Sequence, residues 1–124
     1  MASAKDFSNL KYISLVTFRK SGVPVPTPVW LIEEGGEIFV RTDPKSGKAK
    51  RLRRIQTVRI APSDMRGKTL GPYVQGSARF VEGEDAQRMI QLIKRKYGTF
   101  ASLSDFFNGL RGNHPTAVIA IKLA

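Results

Sequence analysis

The sequence predicts a mainly β, α+β fold: a small antiparallel barrel of six strands with helices over its open ends. Three observations predict it. Six short runs are rich in β-branched and aromatic residues, the composition that suits a pleated, half-buried surface. Most are separated by tight turns, so sequence neighbours can pair directly. The clearest helical stretches come late, which argues against a doubly wound parallel sheet.

Taken in order, Ser3 to Leu10 opens with an N-capping serine and reads as a short helix. Tyr12 to Phe18 (YISLVTF) is the first strand, and Lys20-Ser-Gly22 turns it into a second, Val23 to Ile32. Glu34-Gly-Gly36 turns again into Glu37 to Thr42 (EIFVRT), so these three strands are expected to form a meander. Asp43-Pro44 breaks the sheet, and Ser46 to Ile55 reads as a basic helix. Val58 to Ala61 is a short strand ended by Pro62, Asp64 to Pro72 a loop, and Tyr73 to Val81 the fifth strand. Ala86, Met89, Ile90, Ile93 and Tyr97 repeat at helical spacing over Glu84 to Tyr97, with Gly98 as the expected stop. Leu103 to Leu110 is expected as one more helix, and Val118 to Leu123 as the closing strand. Phe100, Phe106, Phe107 and Leu110 would cap the barrel or meet a second subunit.

The 124 residues are 41% hydrophobic and 25% charged, which suits one globular domain over 1–124. Cysteine is absent and His114 is the single histidine, so thiolate chemistry and a His-based metal site are excluded. The first residues lack a long apolar stretch, and no run approaches the ~18 apolar residues of a membrane helix. A soluble, cytoplasmic protein without a membrane partner is expected. Gly67-Lys68-Thr69 resembles the end of a phosphate loop, but Pro62 stands where that loop needs glycine. The acidic clusters fall in turns, where solvation explains them.

Charge is the informative property. The net charge is +11, and Arg41 to Lys68 alone carries ten basic residues against two acids. Such a concentration is tolerated best where an anion offsets it. Two constellations stand out. In Pro24-Val-Pro-Thr-Pro-Val-Trp30 the prolines share one parity, so one strand edge has lost three donors in a row. Either this is an edge strand guarded against aggregation, or its remaining donors and carbonyls form a rigid ledge for a planar ligand. The second constellation is the strand-to-helix junction from Arg41 and Thr42 into Ser46 and Lys48. Hydroxyls, orphan helix amides and cations converge there on a phosphate-sized spot. A merely solvated basic helix and a nucleic-acid surface are the competing readings. The latter is weakened because no aromatic residue interleaves with the charges.

The order YISLVTF, KSG, PTPVW, EIFVRT, SGKAKRL, VRIAP, RG, YVQGSARFV resembles the pyridoxamine 5′-phosphate oxidase-like superfamily of flavin and deazaflavin oxidoreductases. With FFNGLRG before the last strand, it is most similar to the F420-dependent branch. The resemblance implies a six-stranded split β-barrel of the FMN-binding type, a homodimer, and a cofactor held between subunits. It implies that Thr27, Pro28, Val29 and Trp30 line the ring system, and that Arg41 and Thr42 lie near the ribityl chain and phosphate. Ser46, Lys48 and Lys50 match the phosphate-binding turn, with Arg51 a further contact. The chain ends VIAIKLA rather than in an Arg- and Trp-bearing segment, which argues against vitamin B6 oxidation. Coenzyme F420 is the implied cofactor and FMN the alternative. The implied partner is a small unsaturated acceptor, with a proton from water or Tyr97.

Overall fold

In the computed structural model residues 3–109 and 116–124 are described, with side chains for 3–97 and 116–124. A 3-10 helix, Ala4–Phe7, leads into β1 (Tyr12–Phe18), β2 (Pro24–Val29), β3 (Ile32–Glu34) and β4 (Glu37–Thr42). Helix α1 (Gly47–Arg54), β5 (Thr57–Ser63), β6 (Val74–Val81), α2 (Gly83–Gly109) and β7 (Ala117–Leu123) follow. The strands form one antiparallel sheet of seven in the order β2-β1-β5-β6-β7-β4-β3, and the sheet is not closed.

Seven strands stand where six were expected, because the run from Val23 to Ile32 breaks at Trp30-Leu31. The cause is local. The Leu31 amide donates to the Tyr97 hydroxyl at 2.9 Å, and its carbonyl accepts from Lys96 Nζ at 2.9 Å. Side chains from α2 thus take the backbone groups a strand neighbour would have used. The expected meander is overturned for the same reason: β2 and β3 lie at opposite edges of the sheet. Only two residues join them, so those strand ends stand within roughly 10 Å of each other. The sheet therefore curls through most of a barrel.

The interior follows strand parity. Ile13 and Leu15 of β1, Val29 of β2, Ile38 and Val40 of β4, Val58 and Ile60 of β5, and Ile119 and Ile121 of β7 form one buried cluster. Leu52 of α1 and Phe7 join that cluster. Helix α2 lies on the outside, packing Ala86 and Met89 against Phe39, Val118 and Ala120. Ala86, Met89, Ile93 and Tyr97 are all buried, as their spacing predicts. The helix runs past Gly98 to Gly109 instead of ending; a glycine inside a periodic pattern costs about 1 kcal/mol against alanine and does not by itself stop a helix. The separate helix expected at Leu103 is its continuation, while the side chains of Phe100, Phe106 and Phe107, together with Leu110 and His114, lie outside the described residues.

Strand β5 also passes Pro62 to reach Ser63. Pairing with β6 ends at Ile60, and the Pro62 carbonyl accepts from Leu70 N at 2.8 Å. The missing amide therefore falls where no β6 partner needs it.

Candidate functional site

The junction from β4 to α1 assembles as a cation-rich helix start. Ser46 Oγ accepts from Ala49 N at 3.1 Å, which is N-capping, and lies 3.3 Å from the Thr42 hydroxyl. The Lys50 amide takes the Ser46 carbonyl, so Gly47 and Lys48 carry the remaining orphan amides of this end. Ala49 and Leu52 are buried and fix the helix against the barrel. Arg51 reaches across to β1, its Nε donating to Thr17 Oγ1 at 2.7 Å. Its guanidinium folds back over Gly47, where an added Cβ would meet Nη1 at 2.9 Å. A Cβ there would make the guanidinium shift, which the end of a flexible side chain can do, so glycine eases that placement without being required for it.

Lys48 stands half-buried beside this guanidinium. Burial, and then the Arg51 charge, hold its amine below the ordinary 10.5. Both ion pairs among the described residues, Arg79 with Glu37 and Arg88 with Glu34, lie elsewhere. Two adjacent cations without a carboxylate, beside two orphan amides and three hydroxyls, make a donor set that matches a phosphate group. The structure thus brings Thr42, Ser46, Lys48 and Arg51 together and adds Thr17. Thr17 is the inward polar residue of an otherwise apolar parity with Ile13 and Leu15. Reading β1 by parity would have found it. Lys50 is exposed, and Arg41 leaves β4 on the face opposite Thr42, the Phe39 side.

The proline strand divides its groups by the same parity. A ladder with β1 can form only through residues that have amides, so Val25, Thr27 and Val29 face β1. The donors expected to meet a ligand are spent there. The free edge offers the carbonyls of Pro24, Pro26 and Pro28 instead. Val29 points into the core, Thr27 is half-buried and Pro28 exposed. The 64–72 loop, folded by Asp64 Oδ1 accepting from Arg66 N and Lys68 N, crosses Pro28 at Gly67. There φ is +94°, a left-handed value that favours glycine.

Trp30 lies at the other end of β1 from Arg51, about 17 Å away along five residues of strand. Its ring stacks on Tyr97 at 4.3 Å and 9°. With Tyr12, Met65 and Lys96 these rings line a cavity of about 660 Å³, a size typical of ligand pockets. The Tyr97 hydroxyl proton is shared between the Lys11 and Leu31 carbonyls, at 2.7 and 3.0 Å. Burial pushes that phenol up to about 12, against the opposing Leu31 hydrogen bond. Lys96 Nζ lies 2.7 to 3.4 Å from the carbonyls of Ser8, Leu10 and Leu31, and burial lowers its pKa. Tyr97 is therefore a clasp, poorly suited to deliver a proton.

No protein-family model and no curated protein sequence matches the chain. Solved structures do. The heme storage protein HutZ from Vibrio cholerae aligns over 97% of this chain and 87% of its own, with TM-score 0.72 and 16% identity. The chain has the pyridoxamine 5′-phosphate oxidase-like split-barrel fold. A conserved hypothetical protein from Mycobacterium tuberculosis is 25% identical over 97% of this chain and 77% of its own, TM-score 0.70. The F420-H2 dependent reductase FDR-A is 16% identical over 90% and 94%, TM-score 0.65. Proteins described as storing heme and as reducing with F420 share this fold, so activity must be argued from the site. Among the described residues no cluster could hold a metal ion, and no helix is long and apolar enough to cross a membrane.

Proposed function

We propose that the chain is an F420-dependent oxidoreductase acting on a small unsaturated organic acceptor, and that it works as a homodimer. One observation carries the reading: the uncompensated Lys48–Arg51 pair over the capped start of α1, in a split barrel. Thr17, Thr42, Ser46 and the Gly47 and Lys48 amides would hold a cofactor phosphate with those cations, with exposed Lys50 nearby, whereas Arg41, on the opposite face of β4, is directed away from this set. Thr27, Pro28, Val29 and Trp30 would border the ring, Trp30 doing so from the cavity wall. Bound there, a deazaflavin supplies two-electron hydride chemistry, and the protein supplies binding, orientation and polarity. That division of labour needs no catalytic dyad. FMN is the alternative cofactor, because it presents the same phosphate. The exposed cations from Lys50 to Arg54 favour the more anionic deazaflavin. Exposed Met65, Leu70 and Tyr73, on the segment that crosses Pro28, support a second subunit on that face.

Side-by-side titration with coenzyme F420, FMN and duplex DNA tests the reading. Saturable flavin or deazaflavin binding is expected, weakened by about 2–4 kcal/mol in the double variant Lys48→Met, Arg51→Met. Binding of DNA alone, with a steep salt slope, would replace this reading with a nucleic-acid module.

A further inference from the structure

The cavity beside Trp30 has a chemistry of its own. Its walls are aromatic and soft: Tyr12, Trp30, Tyr97 and the thioether of Met65, which is 61% exposed. Flat apolar groups suit such walls, and Met adapts to their outline. The floor is rigid before anything binds. Trp30 is stacked on Tyr97, whose hydroxyl meets Leu31 N, Leu31 O and Lys11 O. A ring landing there orders little of the protein.

The charge of the lining is one-sided. Lys11 and Lys96 both contribute, and among the described residues no carboxylate does. The Lys96 ammonium faces three backbone carbonyls, so it offers a field and no spare donor. The Lys11 ammonium is exposed and has no side-chain partner among the described residues. It is the cation left to meet an anion, with Ser8 and Asn9 as neutral donors in the same lining.

We propose that this cavity binds a flat aromatic carboxylate, its ring system against Trp30 and Tyr12 and its carboxylate at Lys11. The binding claim stands alone; that such carboxylates are the acceptor class of the enzyme rests on the oxidoreductase reading.

Trp30 is the single tryptophan, so one indole N–H signal in a ¹H–¹⁵N spectrum reports on the cavity. The full chain is titrated with 2-naphthoate and with its neutral isostere 2-naphthamide. A saturable shift is expected with both, the carboxylate binding at least ~5-fold tighter, as one charge-assisted hydrogen bond allows. Lys11→Met should abolish that preference while leaving the amide's affinity unchanged, a readout a misfolded variant would not give. Lys48→Met with Arg51→Met should leave naphthoate binding intact while weakening FMN and F420, so failure of the cofactor reading and failure of this one are told apart. No saturable shift with naphthoate, or equal affinity for the two probes, or indifference to Lys11→Met, overturns the proposal.

Discussion

Leu31 is the residue on which the geometry turns. Its amide and carbonyl are both held by side chains of α2, from 66 and 65 positions away. Tyr97→Phe would strip the partner from a buried amide and a donor from two carbonyls. A loss of roughly 1–3 kcal/mol is expected, read as a lower urea midpoint. The variant also carries a pH signature. In the folded chain the Tyr97 proton is held to about 12, whereas the unfolded phenol releases it near 10. Its contribution is therefore complete below pH 10 and is lost as pH rises through about 12. Lys96 acts with the opposite sign. Burial lowers its folded value below 10.5, so its penalty is relieved as pH climbs toward that figure. Subtracting the Tyr97→Phe curve from the parent's should leave the Tyr97 fall alone. A difference curve that is flat from pH 10 to 12 would deny the clasp.

At the scale of elements, what could be read from the sequence was whatever depends on near neighbours. The strand composition of YISLVTF, the Ser46 cap and the buried face of α2 all follow from residues a few positions apart. Thr42, Ser46 and Lys48 were legible for that reason. The break at Trp30-Leu31, the Arg51–Thr17 bond and the cavity were not, because their partners arrive from 34 to 66 positions away. The proline strand lies between these cases. Its missing donors marked an edge correctly, yet parity gives its surviving amides to β1. That edge now presents carbonyls without amides, which a strand of another chain cannot pair with fully. Replacing Pro24, Pro26 and Pro28 together by Val would return three outward donors while keeping β-favouring side chains. Light scattering should then detect concentration-dependent species larger than the parent forms. A triple variant with the parent's size distribution would mean that the prolines do not guard the edge.

Across the whole molecule, compensation of charge is uneven. The ion pairs bind β4 to β6 and β3 to α2, while Lys48, Lys50 and Arg51 of α1 make no ion pair among the described residues. The start of α1 thus bears self-repulsion that the fold does not need, which is how binding sites trade stability for function. Lys48 is the sharpest instance, since its charge is disfavoured by burial and by Arg51. Lys48→Met keeps the aliphatic stem and nearly the same helix propensity but removes the charge. The ligand-free variant should be more stable than the parent by about 0.2–0.5 kcal/mol at low salt, the size of a like-charge pair on a helix. Salt should shrink that advantage, because screening already relieves the parent. Cofactor added in excess should reverse the order: a ligand that binds only the folded chain raises stability with its concentration over Kd, and the variant has the weaker Kd. The crossing of the two denaturation midpoints between ligand-free and ligand-saturated samples is the decisive measurement. A Lys48→Met chain that is less stable in both conditions would show the lysine to be structural. One more stable in both would remove it from the phosphate site.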